Sequence, residues 1–253
     1  LRTRSENIFL KTALIFGGKS PLAIAIAKEF AANGFAIYLI ARNSASLKEQ
    51  ESLFASQFSS TLTVVELDIS EADALRQFVS SFQDNCPDVV ISVLGRQQPA
   101  DIERDDIDTI SALIEGNLTG PATVLEQFAT VMEKCGRGTL IGISSVAGER
   151  GRQKNYTYGA AKAGFNAFLS GLRNRLADSG VHVITVKPGV IGTPATTKLQ
   201  HPSWLVRKPE VIGKDVYRAY GKSKNVVYTP WFWAIIMLII RLIPESIFKR
   251  LDI

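Results

Sequence analysis

Cysteine and histidine are scarce, two of each in 253 residues. Cys86 and Cys135 are too few and too far apart for a disulfide framework or a thiolate metal site, and read as structural thiols of a reducing compartment. His182 falls inside an apolar strand pattern, and neither it nor His201 has Cys/His ligand spacing, so no metal site is expected. No apolar stretch reaches the ~20 residues that span a bilayer; the run Trp231–Ile243 is about 13 residues and is interrupted by Arg241. There are no internal repeats and no low-complexity linkers. Basic residues are dispersed and no nucleic-acid motif accompanies them, which removes nucleic-acid binding from consideration. No targeting segment is visible from Leu1 onward.

What is present is a chain 46% hydrophobic and 21% charged, enough to bury one sizeable core, so residues 1–253 read as a single α/β domain. The formal charge of +5 suits an anionic cofactor or an anionic membrane surface, or is simply surface charge. Short apolar runs at 12–17, 35–41, 62–67, 89–94, 139–144 and 181–187 read as buried strands. Between them, 22–32, 45–58, 72–82, 107–133 and 158–177 read as helices. Strand alternating with helix implies right-handed crossovers and a parallel sheet covered on both faces, a doubly wound, Rossmann-type architecture.

The first strand leads through the turn Phe16-Gly17-Gly18-Lys19-Ser20-Pro21-Leu22 into an Ala-rich helix. Such a turn points free amides and a positive helix end at a pyrophosphate, which makes Gly17, Lys19, Ser20 and Leu22 cofactor-contact candidates; it also occurs simply to reverse the chain. The second strand ends in Arg42 where an acidic residue would repel a 2′-phosphate, and Lys19 adds positive charge, so NADP(H) is favoured over NAD(H). Asp68, after the third strand, is placed to accept from an adenine amino group or to N-cap the next helix.

Tyr158 and Lys162 stand four apart and share a helix face, so the ammonium can favour the ionised form of the phenol. Ser145, thirteen residues earlier at a strand end, could hydrogen-bond a reacting carbonyl. Tyr220 and Lys224 repeat the spacing, but thirteen residues before Tyr220 stands Arg207, so that pair is not expected to be catalytic.

The turn, Asp68, Gly95, Asn117, Ser145, Tyr158, Lys162 and Pro188-Gly189 followed by Thr193 resemble, in order and spacing over about residues 12–195, the short-chain dehydrogenase/reductase family. The resemblance implies an enzyme interconverting a ketone and a secondary alcohol, with Tyr158 as general acid, Lys162 on the nicotinamide ribose and Ser145 orienting substrate. It further implies Asn117 in a water-mediated proton relay, Gly95 in the cofactor site, and Pro188, Gly189 and Thr193 near the nicotinamide. Phe16, Pro21 and Ala23 depart from the family's Thr-Gly-x-x-x-Gly-x-Gly turn, and Pro21 removes an amide donor. The stretch SSVAGERGRQKNYTYGAAKAGFNAF and the ending IPESIFKRLDI are similar to family members acting on a decaprenylphosphoryl keto-pentose.

Residues 194–209 are expected to form a substrate loop. The tail 230–253, with Trp231 and Trp233 at one end of its apolar run and Arg241, Lys249 and Arg250 near the other, suits a helix at a lipid interface, or one packed over the substrate cleft or in an oligomer interface. The expected partners are a small-molecule or lipid-linked carbonyl substrate, a membrane surface touched through 230–251, and further copies of the chain in a homodimer or homotetramer. The expected place is the cytoplasm, at the inner face of the cell membrane. Two alternatives stand: a nucleotide-binding scaffold without turnover, motivated by Pro21, Ala23 and the segment VLGRQ around Gly95 in place of the family's Asn-Asn-Ala-Gly, and a reductase of a sterol-like or fatty carbonyl.

Overall fold

The strands β1 (Lys11–Phe16), β2 (Phe35–Ala41), β3 (Leu62–Glu66), β4 (Val89–Ser92), β5 (Gly138–Ile143), β6 (Val181–Pro188) and β7 (Val226–Thr229) form one sheet in the order 3-2-1-4-5-6-7, and every pairing is parallel. The structure, a computed structural model, describes residues 11–96, 107–192 and 202–251. Thr193, His201 and residues 194–200 of the expected substrate loop lie outside them.

Both faces of the sheet are buried, as its near-continuous apolar strands require. Leu14 and Phe16 of β1 enter one hydrophobic cluster while Ala13 and Ile15 enter the other. The first cluster is roofed by α3 (Ala72–Ser80), α5 (Gly120–Cys135) and α6 (Tyr156–Arg175). The second packs under α1 (Pro21–Ala32) and α7 (Pro209–Gly221). Gly213 brings α7 against α1, since a Cβ there would stand 2.9 Å from the Ala25 carbonyl oxygen. α2 (Lys48–Gln57) follows a 3-10 turn, Ser44–Leu47, in place of one helix over 45–58.

The helix expected over 107–133 is three segments: α4 (Ile107–Ile114), a π turn (Glu115–Thr119) and α5. Pro121 explains the break. It has no N–H for the Asn117 carbonyl and its ring crowds that group in regular α geometry, so the turn widens. α7 and β7 were not foreseen in the sequence. β7 has four residues and is half-exposed at the sheet edge, too short for an alternating pattern to stand out. After β7 come α8 (Trp233–Leu242) and α9 (Glu245–Phe248).

Cys86 and Cys135, distant in sequence, meet in space as free thiols. Burial, then the hydrogen bond with Cys135, pushes the Cys86 thiol up to about 12. His182 is structural, its Nε2 lying 3.1 Å from the Lys224 carbonyl oxygen. Among the described residues no group of His, Cys, Asp and Glu could hold a metal ion.

Candidate active site

The sheet order reverses between β1 and β4, and a cleft of about 1090 Å³ opens there at the carboxyl ends of the strands. That is where open α/β sheets bind ligands. Gly17, Lys19, Ser20, Arg42, Asp68 and Gly95 all line it. Gly17 has φ +87°, and a Cβ would stand 3.0 Å from the Val93 carbonyl carbon, so the turn needs glycine on both counts.

The turn's amides are not free as expected. Gly17 and Gly18 both donate to the Ile40 carbonyl, at 3.0 and 2.9 Å, and Ser20 donates to Gly17. Ser20 N-caps α1 by accepting the Leu22 amide at 3.3 Å, while Pro21 sits in the first turn where its missing N–H costs little. The Leu22 side chain is buried in the core instead of facing the cleft. Phe16, in the position of the family's Thr, is core as well, packed on Phe78 and Phe128.

Arg42 lies 3.6 Å from the Asp68 carboxylate, and Lys19 reaches the Asn43 carbonyl at 3.5 Å. Asp68 does not N-cap α3, whose cap position is Glu71. Its carboxylate accepts from the Ser70 amide and hydroxyl, at 3.0 and 2.7 Å, and these bonds, with Arg42, hold its pKa below the ordinary value. Arg76 and Arg96 line the same cleft and were not anticipated. The cleft fits a dinucleotide: close backbone at Gly17, cations where a 2′-phosphate would lie, and the positive end of α1.

The catalytic candidates converge beyond Gly95. β5 delivers Ser144 and Ser145 to a 3-10 turn, Val146–Glu149, pressed so closely on α6 that a Cβ on Gly148 would stand 2.7 Å from the Lys162 carbonyl carbon. This contact sets Ser145 opposite Tyr158. The Ser145 hydroxyl accepts the Ala147 amide at 3.1 Å, which leaves its own hydrogen to bond the Tyr158 oxygen. Lys162 is buried beside both aromatic rings, its Nζ 5.9 Å from the centre of Tyr158 and 5.5 Å from that of Phe165. Its ammonium donates to the Ile143 carbonyl at 3.1 Å, and burial lowers its pKa to about 7. Asn117, in the π turn, is saturated by backbone: it donates to the carbonyls of Arg96 and Leu113 at 2.6 and 3.0 Å and accepts the Arg96 amide. It thereby fixes Gly95, whose Cβ position is 3.0 Å from Asn117 Oδ1 and 3.4 Å from Lys162 Nζ.

Lys162 was expected to draw the Tyr158 pKa down. Instead burial raises it, partly opposed by the Ser145 hydrogen bond and the positive charge of Arg152. Arg152 lies in the irregular segment before α6, where no periodicity marks it. The decoy pair has no such site: the half-buried Tyr220 packs on Phe30, Phe35 and Tyr217, and Lys224 is exposed.

Pro188 is buried at the end of β6, and Gly189 lies under the tail. Trp233 packs on Gly189 so tightly that a Cβ there would fall 1.8 Å from the indole nitrogen, and with Met237 it forms a small core against Val146, next to Ser145. α8 therefore walls the catalytic side. Arg150 secures it, donating to the Ile240 and Ile243 carbonyls at 2.6 Å each, pairing with Glu245 at 2.7 Å and stacking on Phe248. The buried Glu149 holds Lys187 at 2.5 Å, Tyr228 at 3.1 Å and Arg241 at 3.4 Å. The opposite face of α8 is open: Ile235, Leu238, Ile239 and Leu242 are exposed, with Trp231 before the helix. No helix among the described residues is long and apolar enough to cross a membrane.

The chain is 32% identical over 241 residues to an uncharacterized oxidoreductase of Mycobacterium tuberculosis, covering 94% of this chain and 96% of that one. It is 28% identical over 216 residues to the 3-oxoacyl-[acyl-carrier-protein] reductase of Chlamydia trachomatis, covering 81% and 87%. The fold is similar to that of a short-chain dehydrogenase from Sphingobium yanoikuyae in complex with NADPH, with TM-score 0.81, 20% identity and 96% of each chain covered. The family profile described as short chain dehydrogenase matches residues 11–204. With that match over a parallel sheet whose switch point opens on Gly17, Arg42 and the Ser145, Tyr158 and Lys162 group, the chain belongs to the short-chain dehydrogenase family of NAD(P)-dependent oxidoreductases.

Proposed function

We propose that this oxidoreductase uses NADPH in preference to NADH to reduce a ketone carried on a membrane lipid, a lipid-linked keto-sugar being the substrate class favoured. The observation that carries the reading is the convergence of Ser145, Tyr158 and Lys162 at Gly95, one end of a cleft that also bears Lys19 and Arg42. When bound, the cofactor supplies a hydride to the carbonyl carbon. Tyr158 gives its phenolic proton to the carbonyl oxygen as charge develops there, and burial keeps that phenol in the protonated form reduction requires at neutral pH. Ser145 donates a hydrogen bond to the same oxygen and orients it. Lys162 holds the nicotinamide ribose, and Asn117 keeps Gly95 in register beside it. α8 excludes water from the catalytic side.

The lipid portion of the reading is supported by the outward apolar face of α8, by the basic residues Arg241, Lys249 and Arg250 beyond it, and by the resemblance of 144–168 and 243–253 to reductases of a decaprenylphosphoryl keto-pentose. The protein would then work at the inner face of the cell membrane, and self-association would use the helices around Asn117 and Tyr158. The same face would equally serve a sterol-like or fatty carbonyl, and turnover of ketone panels in detergent separates the two classes.

Fluorescence titration with NADPH and NADH tests the cofactor assignment. NADPH is expected to bind more tightly, with Arg42→Ala costing about tenfold or more for NADPH and little for NADH, as befits a charge-assisted contact to the 2′-phosphate. Equal binding of both cofactors by the wild type would remove the NADPH preference. Absence of binding to either would remove the reductase reading.

A further inference from the structure

Arg150, Arg152 and Lys187 stand in the segment joining the Ser145 turn to the Tyr158 helix, or directly against it, and their surroundings differ. Arg150 is saturated by carbonyls, Glu245 and Phe248, and Lys187 is paired with the buried Glu149. Arg152 is not. Its Nε is buried and has no hydrogen-bond partner among the described residues, and no carboxylate among them acts on its charge. Its charge is nevertheless felt at Tyr158. Burying the Nε of a half-exposed guanidinium without an acceptor is costly, and an acceptor arriving beside the reacting group would offset that cost. Asn155, whose backbone N–H donates to the Arg152 carbonyl at 3.0 Å, carries a second buried, unpartnered polar atom, Oδ1. An idle donor of positive charge and an idle acceptor thus belong to one backbone turn, six and three residues before Tyr158. The cofactor's own phosphates would lie at the other end of the cleft, which Lys19 and Arg42 line.

We propose that Arg152 and Asn155 form a substrate subsite beside Tyr158 that recognises an anionic oxygen group, phosphate or carboxylate, on a hydroxylated ketone. Arg152 presents Nε and its terminal nitrogens to the anion as a planar fork, and Asn155 Oδ1 accepts from a substrate hydroxyl. The subsite rests on the reductase reading above and narrows its substrate to a ketone with a negative charge near the carbonyl. The charge is supplied equally by a phosphate ester, a lipid phosphodiester or a carboxylate.

The full chain saturated with NADP⁺, so that the cofactor's phosphate sites are filled, is titrated calorimetrically with inorganic phosphate and with acetate. Wild-type protein is expected to bind at least one, and the stronger of the two identifies the anion. Arg152→Met is expected to weaken that binding about tenfold or more and Arg152→Lys to restore part of it, with NADPH affinity unchanged as the check on folding. Turnover provides the second readout, with dihydroxyacetone phosphate against dihydroxyacetone, and acetoacetate against acetone. Arg152→Met should raise KM for the charged member of a pair about tenfold more than for the neutral member, whatever common change in kcat follows from removing a charge felt at Tyr158. Wild-type protein that binds NADPH but neither anion overturns the subsite and leaves the reductase reading standing. An equal loss on charged and neutral ketones, with a displaced pH–rate profile, would instead make Arg152 a positioning residue for Tyr158 and also overturn it. A chain that binds no NADPH fails at the earlier step.

Discussion

Lys162 illustrates what the site costs the fold. The side chain is 3% exposed, and burial brings its pKa down to about 7 from the 10.5 of a lysine in water. Between those values the unfolded chain holds a proton that the folded chain has released, so stability from this group rises with pH through that window; below about 7 the ammonium is charged in both states and the burial cost is full. Lys162→Met is therefore expected to abolish turnover and yet raise the melting temperature of the ligand-free protein at pH 6, by an amount that shrinks at pH 9.5. The difference between the two pH values should be on the order of 1–3 kcal/mol, read from thermal or urea melts. A variant no more stable than wild type at pH 6 would show that the Ile143 hydrogen bond outweighs the burial cost. Much of this site was legible in the sequence because its residues sit at fixed spacings on regular elements: Tyr158 and Lys162 one helical turn apart, Ser145 at a strand end. Arg152 and Asn155 lie in an irregular segment whose path depends on the turn at Gly148 pressing on α6, and no local spacing encodes that. The free amides expected at Gly17 and Gly18 failed for a similar reason, since their acceptor, Ile40, belongs to a different strand.

At the scale of elements, apolar pattern reads best where burial is continuous. β1, β4 and β6 are buried on both faces and were legible from composition alone. β7 and the break between α4 and α5 were not, one being a short edge strand and the other a response to Pro121. The tail was ambiguous because α8 is apolar all round, and only contacts decide which side is core: Trp233 and Met237 face Val146, whereas Leu238, Ile239 and Leu242 face outward. Arg150 is the main polar tie between α8 and the catalytic turn. Arg150→Ala should leave the sheet intact but speed hydrogen exchange of the amides in Trp233–Leu242 and in residues 146–155 together, by about ten- to a hundredfold for the loss of charge-assisted bonds worth roughly 1.5–3 kcal/mol. Faster exchange in α8 alone would mean that the helix and the turn open independently.

Across the whole molecule, a +5 formal charge and an open apolar helix face would act together at an anionic lipid surface. The chain should sediment with vesicles of phosphatidylglycerol mixed with phosphatidylcholine, less so as salt is raised. The double variant Leu238→Asp, Leu242→Asp should reduce that binding by more than about tenfold, since burying each leucine contributes roughly 1.5–3 kcal/mol, while turnover of a water-soluble ketone stays unchanged. Vesicle binding that survives both substitutions would separate membrane attachment from α8. The wall that α8 builds over Gly189 and Val146 also stands far along the chain from the residues it covers. Residues 11–204, which the family profile covers, include Ser145, Tyr158 and Lys162; the wall comes from Trp233 onward, outside that profile. A change confined to that wall would therefore alter what can reach Ser145 and Tyr158 without touching either residue.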